Sequence, residues 1–140
     1  MPISGTPTRL ILFGEDDIDD IDFLKETFSA VDNSFTLLFV DKGRKLIATL
    51  ENLQDHELPC LLVLDYNMPE LNGAEILTQL KLHDRYSRIP KIIWSTSGSD
   101  TYKNRCLELG AVDYVIKPVN VKSFVETARY MLSFCGRLPE

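Results

Sequence analysis

The sequence predicts an α/β domain, a doubly wound, five-stranded parallel sheet with helices on both faces. Three observations carry that expectation. Five short apolar runs alternate along the chain with five segments of helical periodicity. The middle run, Cys60-Leu61-Leu62-Val63-Leu64, contains no polar residue, as expected of a strand buried on both faces. Strict strand–helix alternation is the pattern of right-handed crossovers between parallel strands.

The elements follow in order. Residues 1–8, with Pro, Ser, Gly and Thr, read as a flexible N-terminal arm. Leu10-Ile11-Leu12-Phe13 is the first strand and gives way at Gly14 to Glu15-Asp16-Asp17. A helix follows with Ile21, Leu24, Phe28 and Val31 on one face. Asp17, Asp19, Asp20 and Asp22 crowd its first turns, where carboxylates suit the positive end of the helix dipole, and Asp19, Asp20 and Asp22 are expected to do no more than that. Phe35 to Val40 is a second strand, placed near an edge by Thr36, and Gly43 to Leu53 a helix with Leu46, Ile47, Leu50 and Leu53 inward.

The third strand stops at Asp65, and Pro69, Asn72 and Gly73 turn the chain. Asn72 with Glu75 three residues on is a capping box, opening a helix with Ile76, Leu77 and Leu80 toward the core. Lys91 to Ser95 is the fourth strand, followed by Thr96, Ser97 and Gly98. A weaker helix from about Asp100 ends at Gly110, a C′ residue. Asp113 to Ile116 is the fifth strand and leads into Lys117-Pro118. The last helix carries Val121, Phe124, Val125, Ala128, Met131, Leu132 and Cys135 as its core stripe. With no linker or repeat, the expectation is one domain over residues 9–136, a C-terminal tail at 137–140, and no output domain.

Composition narrows the function. The 140 residues carry 44% apolar and 26% charged side chains, ordinary for a globular domain, and a net charge of −6. An acidic chain has no electrostatic reason to bind nucleic acid or an anionic membrane, and no run approaches a membrane span or a signal peptide. Three cysteines without CxxC spacing suit reduced thiols in the cytoplasm, with Cys60 and Cys135 as core residues. His56, Cys60 and His83 form no zinc pattern.

What remains is at the strand ends. Glu15-Asp16-Asp17, Asp65, Ser95-Thr96 and Lys117 each follow a strand, so a parallel sheet brings them to one rim. Each has an ordinary explanation taken singly: a cap, a strand-terminal hydroxyl, an exposed charge. Together they suit a divalent cation held by carboxylates, a lysine counter-ion, and an aspartate that takes up a phosphoryl group.

From about Arg9 to Cys135 the sequence resembles the receiver domain of two-component response regulators. The residues that carry the resemblance are Glu15-Asp16, Asp65 in LDYNMP, Ser95, and Tyr114 through Lys117-Pro118. It implies the flavodoxin-like strand order 2-1-3-4-5. It implies that Asp65 accepts a phosphoryl group from the phosphohistidine of a sensor histidine kinase or phosphotransfer protein. Mg²⁺, or Mn²⁺ in its place, would be held by Asp16 and Asp65, by Glu15 through water and by the Asn67 backbone carbonyl. Lys117 and Thr96 would contact the phosphoryl group, with Lys117 joined to Pro118 by a peptide that is cis in relatives. Ser95 would move toward the phosphoryl oxygens and Tyr114 would follow, altering the surface of the last two helices and fifth strand for a downstream protein target. Dimerisation through that surface is common among relatives. Such a protein is a phosphoacceptor switch rather than an enzyme, acting only on its own phosphorylation and dephosphorylation.

The acidic triplet leaves Glu15-Asp16 and Asp16-Asp17 both open as the metal pair, with the former favoured because the strand ends at Gly14. Tyr66 is bulkier than the aliphatic residue usual after the acceptor, and Ser95 stands where Thr is commoner. A flavin-type phosphate cradle is opposed by the acidic first loop. A haloacid-dehalogenase-like phosphatase is opposed by Asn67, which stands where that family has a second Asp. A calcium loop counted from Asp17 is opposed by Ile21 and Asp22 at its fifth and sixth positions. A degenerate receiver, binding proteins without phosphorylation, is the remaining alternative. The sole tryptophan, Trp94, adjoins Ser95, so its fluorescence is expected to respond to Mg²⁺.

Overall fold

In the computed structural model, which describes residues 8–135, the strands lie in the order β2-β1-β3-β4-β5, all parallel. The expected N-terminal arm and the 137–140 tail fall almost wholly outside the described residues. The strands are β1 (Leu10–Gly14), β2 (Thr36–Val40), β3 (Leu61–Asp65), β4 (Lys91–Ser95) and β5 (Asp113–Ile116). The helices are α1 (Ile18–Val31), α2 (Gly43–Asn52), α3 (Gly73–Lys81), α4 (Asp100–Glu108) and α5 (Val121–Leu132). Two single turns of 3₁₀ helix, Asp55–Glu57 and Asp84–Tyr86, have no counterpart in the sequence reading; both precede a strand, and their short polar sequences carry no periodicity.

Strand alternation sorts the core into two layers. Ile11, Phe13, Leu61, Val63, Ile92 and Trp94 face one side and pack with Leu24 and Phe28 of α1 and Phe124, Ala128 and Met131 of α5. Leu12, Leu62, Leu64 and Ile93 face the other and pack with Leu46 and Leu50 of α2, Ile76, Leu77 and Leu80 of α3, and Cys106 of α4. β3 is buried along its whole length, which is why its sequence shows no alternation. β2 reads exposed–intermediate–exposed up to Val40, in keeping with its edge position.

Helix ends follow the local chemistry. Asn72 and Glu75 form the reciprocal capping box, at 2.9 Å in each direction. Asn120 and Ser99 cap α5 and α4 through their side-chain oxygens. Gly110 terminates α4 at φ 106°, where an L side chain is disfavoured. Val121 departs from expectation. It holds the first position of α5, where the helix has only begun, and is 66% exposed rather than core.

The cysteines also depart from it. Cys60 and Cys135 are buried as expected, but they are joined in a disulfide rather than reduced, with Cα atoms 5.2 Å apart across 75 residues of sequence. Cys106 is the one free cysteine among the described residues, and it is buried. A pairing that depends on the chain after α5 reaching the start of β3 leaves no spacing signature in the sequence. No helix among the described residues is long and apolar enough to cross a membrane.

Candidate functional site at the carboxyl rim of the sheet

Each candidate residue is delivered to the rim by a strand end, and the strand ends are tied to one another. Glu15 N–H donates to the Val40 carbonyl (2.9 Å), Tyr66 N–H to the Trp94 carbonyl (3.2 Å) and Lys117 N–H to the Ser95 carbonyl (2.8 Å). The sheet ladder thus continues one residue past β1, β3 and β5, and fixes where the side chains begin.

Glu15, Asp16 and Asp65 each offer a carboxylate oxygen within 4.8 Å of the others. Glu15 and Asp65 are buried, while Asp16 is open to solvent. Of the acidic triplet, this cluster takes in Glu15 and Asp16 and leaves out Asp17. Asp17 is the N-cap of α1, where its Oδ1 accepts from Asp20 N–H at 3.1 Å, and it lies outside the cluster. The donor set, three hard oxygen anions with one side open to water, fits a divalent cation of the Mg²⁺ type.

Lys117 is the counterweight. Its Nζ lies 3.1 Å from Glu15 Oε1, 2.8 Å from Asp20 Oδ2 and 2.9 Å from Asp65 Oδ2, so its three N–H donors face three carboxylates. Burial works to lower its pKa, but the bonds to Asp20 and Asp65 and the charges of Glu15 and Asp65 outweigh it, and the ammonium is held firmly protonated. Asp20 does more here than the helix-dipole role its sequence position suggests. It sits in the first turn of α1, the turn that Asp17 caps, and faces the rim from there.

Glu15 is shifted in the same direction, but for a carboxyl that disfavours the charged form. Burial, followed by the negative charge of Asp65, raises its pKa to about 7, against the pull of the Asp17 N–H and of Lys117. Three donors hold this carboxylate: Asp17 N–H on Oε2 at 3.1 Å, and Trp94 Nε1–H and Lys117 on Oε1 at 3.0 and 3.1 Å. Trp94 was expected to report on the site because it adjoins Ser95. Its side chain leaves the sheet on the opposite face from Ser95 and reaches the site through Glu15 instead.

The loop after Asp65 is pinned at several points. Asn67 N–H donates to Asp65 Oδ1 at 3.0 Å. Gly73 N–H returns to the Tyr66 carbonyl at 2.8 Å, and Gly43 N–H reaches across from α2 to the Pro69 carbonyl at 2.9 Å. Glu70 takes φ 72°, the only positive φ of a non-glycine residue among those described. The bulk of Tyr66 is used against α4, where its ring stacks on Tyr102 with centroids 4.5 Å apart.

On the β4–α4 side, Ser95 is fully buried and its Oγ accepts from Ser97 N–H at 3.0 Å, while Thr96 is exposed beside it. Tyr114 is buried with its hydroxyl donating to the Ser97 carbonyl at 2.8 Å, so its ring already occupies the inward position. One implication of the resemblance is corrected. The Lys117–Pro118 peptide is trans, since no cis peptide bond occurs among the described residues. Lys117 reaches Asp65 without one.

Comparison with known proteins agrees with this arrangement. Residues 11–129 match the sequence profile of the response regulator receiver domain. Two-component response regulator ORR5 of rice is 35% identical over 104 residues, covering 73% of this chain and 75% of that protein. Among solved structures, the Mn²⁺-bound form of response regulator Rcp1 superposes with a TM-score of 0.80 at 26% identity, covering 94% of this chain and 99% of that one. A response regulator in red light signaling of R. palustris gives 0.81 at 27% identity, covering 94% and 98%. With the profile spanning most of the chain and the strand order the same, this chain belongs to the receiver domain family of two-component response regulators.

Proposed function

We propose that Asp65 is the phosphoryl acceptor of a phosphorelay, taking the group from the phosphohistidine of a sensor histidine kinase or phosphotransfer protein. In that transfer the P–N bond to the histidine breaks, a P–O bond to an Asp65 carboxylate oxygen forms, and the released imidazole takes up a proton. The observation that carries the reading is the Lys117 ammonium held between Glu15, Asp20 and Asp65 directly beside the carboxylate cluster. A cation in that position offsets charge arriving on Asp65 and orients its carboxylate for attack.

Asp16 and Asp65 directly, Glu15 through water and the Asn67 carbonyl would hold Mg²⁺ or Mn²⁺, which shields the incoming phosphoryl oxygens from the carboxylates. That Rcp1, a protein of the same fold, has a Mn²⁺-bound form supports a divalent ion here. Asn67 N–H already fixes one Asp65 oxygen. Ser95 Oγ accepts from Ser97 N–H, which leaves its own proton to donate toward a phosphoryl oxygen, and Thr96 stands exposed at the rim for a further contact. If Ser95 shifts, the Ser97 segment moves with it and the Tyr114 hydroxyl loses or changes its acceptor. That couples the acceptor to α4, β5 and α5, where Tyr102, Leu107, Ile116 and Tyr130 are exposed. Those apolar side chains suit a downstream protein partner, which phosphorylation would favour or disfavour by shifting a two-state surface.

The test is incubation with Mg²⁺ and a small phosphodonor such as acetyl phosphate, read by intact mass. One phosphoryl adduct is expected on the wild type and none on Asp65→Asn. Correctly folded wild-type protein that stays unmodified would favour a phosphorylation-independent binding module.

A further inference from the structure

Trp94 is fully buried in β4 and is the only tryptophan of the chain. A buried indole N–H needs an acceptor. This one uses a carboxylate rather than a backbone carbonyl, Glu15 Oε1 at 3.0 Å, although Glu15 follows another strand, β1, and is itself fully buried. The same oxygen receives Lys117 Nζ, and that ammonium stands 5.1 Å from the centre of the Trp94 ring. The indole therefore touches both the acidic end of β1 and the basic end of β5. Glutamate has one more rotatable bond than aspartate, and a carboxylate on that longer stem has more ways to miss a shared cation.

We propose that Trp94 is a positioning residue for the cation site: its indole N–H fixes the rotamer in which the Glu15 carboxylate faces Asp16 and Asp65. This rests on the divalent-cation reading above. Trp94 also fills space, meeting the Phe124 ring edge-on at 6.1 Å between centroids. Filling space predicts a loss of stability on truncation, whatever stands at position 15. Positioning predicts an effect on cation binding that depends on the length of the side chain there, because an aspartate, shorter by a methylene, falls short of the indole.

Mn²⁺ affinity measured on four proteins separates the two: wild type, Trp94→Phe, Glu15→Asp and the double variant. Loss of a partner that orients a ligand costs about 10- to 100-fold in metal affinity. Trp94→Phe should weaken Mn²⁺ binding about tenfold when Glu15 is present, and by less than about twofold in the Glu15→Asp background. Equal effects in both backgrounds, or none in either, overturn the proposal. A second measurement does not depend on the core variant folding. The single indole N–H resonance of the wild type should move during a Mg²⁺ titration with the midpoint of metal binding, and stay still in Glu15→Asp. A still resonance in wild type that binds Mg²⁺ also overturns it. Wild type that binds neither Mn²⁺ nor Mg²⁺ removes the cation reading itself, a different result from intact binding without coupling.

Discussion

Glu15 shows most directly how one residue is set by its surroundings. A carboxyl whose pKa is raised to about 7 by burial and by Asp65 holds its proton more tightly folded than unfolded. Its contribution to stability is therefore complete below the unfolded value of 4.5 and is lost as pH rises through about 7. Metal-free wild type should lose up to about 3 kcal/mol against Glu15→Gln between about pH 5 and about pH 8, measured by urea unfolding at each pH. Divalent-cation affinity should run the other way and rise over the same interval, because proton and cation compete for the cluster. The side chains of the rim could be named from the sequence, since each follows an apolar run. Their partners could not. Asp20 on Lys117 and Trp94 on Glu15 join residues 97 and 79 positions apart, and such contacts have no period or motif.

At the scale of elements, the loop after Asp65 depends on the close approach of α2 to the chain after β3. A Cβ on Gly43 would lie 2.5 Å from Leu71 Cβ and 2.6 Å from the Leu71 carbonyl oxygen. Gly43 N–H also holds the Pro69 carbonyl. Gly43→Ala must therefore push the loop away from α2, since backbone atoms cannot step aside as a flexible side chain can. The expected cost is about 1–3 kcal/mol, read by urea unfolding, together with slower labelling of Asp65 by acetyl phosphate as the loop carrying Asn67 loses its tether. The cap of α3, the end of α4 and the buried side of each helix were readable in advance because Asn72 with Glu75, Gly110 and the apolar stripes are local signals; the Ser99 and Asn120 caps were not anticipated. The exposure of Val121 was not, because a stripe gives the buried side of a helix but not where along its length burial begins.

Over the whole molecule, the parallel sheet does two things at once. It buries β3 between two helical layers, and it collects the carboxyl ends of β1, β3, β4 and β5 at one rim. At the opposite end, the Cys60–Cys135 bridge closes the start of β3 against the chain that follows α5. A crosslink spanning 75 residues restricts the unfolded chain, so reduction, or Cys135→Ser, should lower the unfolding free energy by about 2–4 kcal/mol, measured by thermal or urea unfolding with and without dithiothreitol. Asp65 lies at the far rim, so the acetyl phosphate labelling proposed for it should change little. From the sequence alone came the strand–helix alternation, the single buried central strand and the kinds of side chain at each strand end, because these are properties of neighbours along the chain. The strand order was inherited from resemblance until the register of the sheet established it. The disulfide, the three-way grip on Lys117, the meeting of Glu15 and Asp16 with Asp65 and the indole on Glu15 were decided only by tertiary structure. They are contacts between segments far apart in sequence, and which segments meet is set by how the two helical layers close over the sheet.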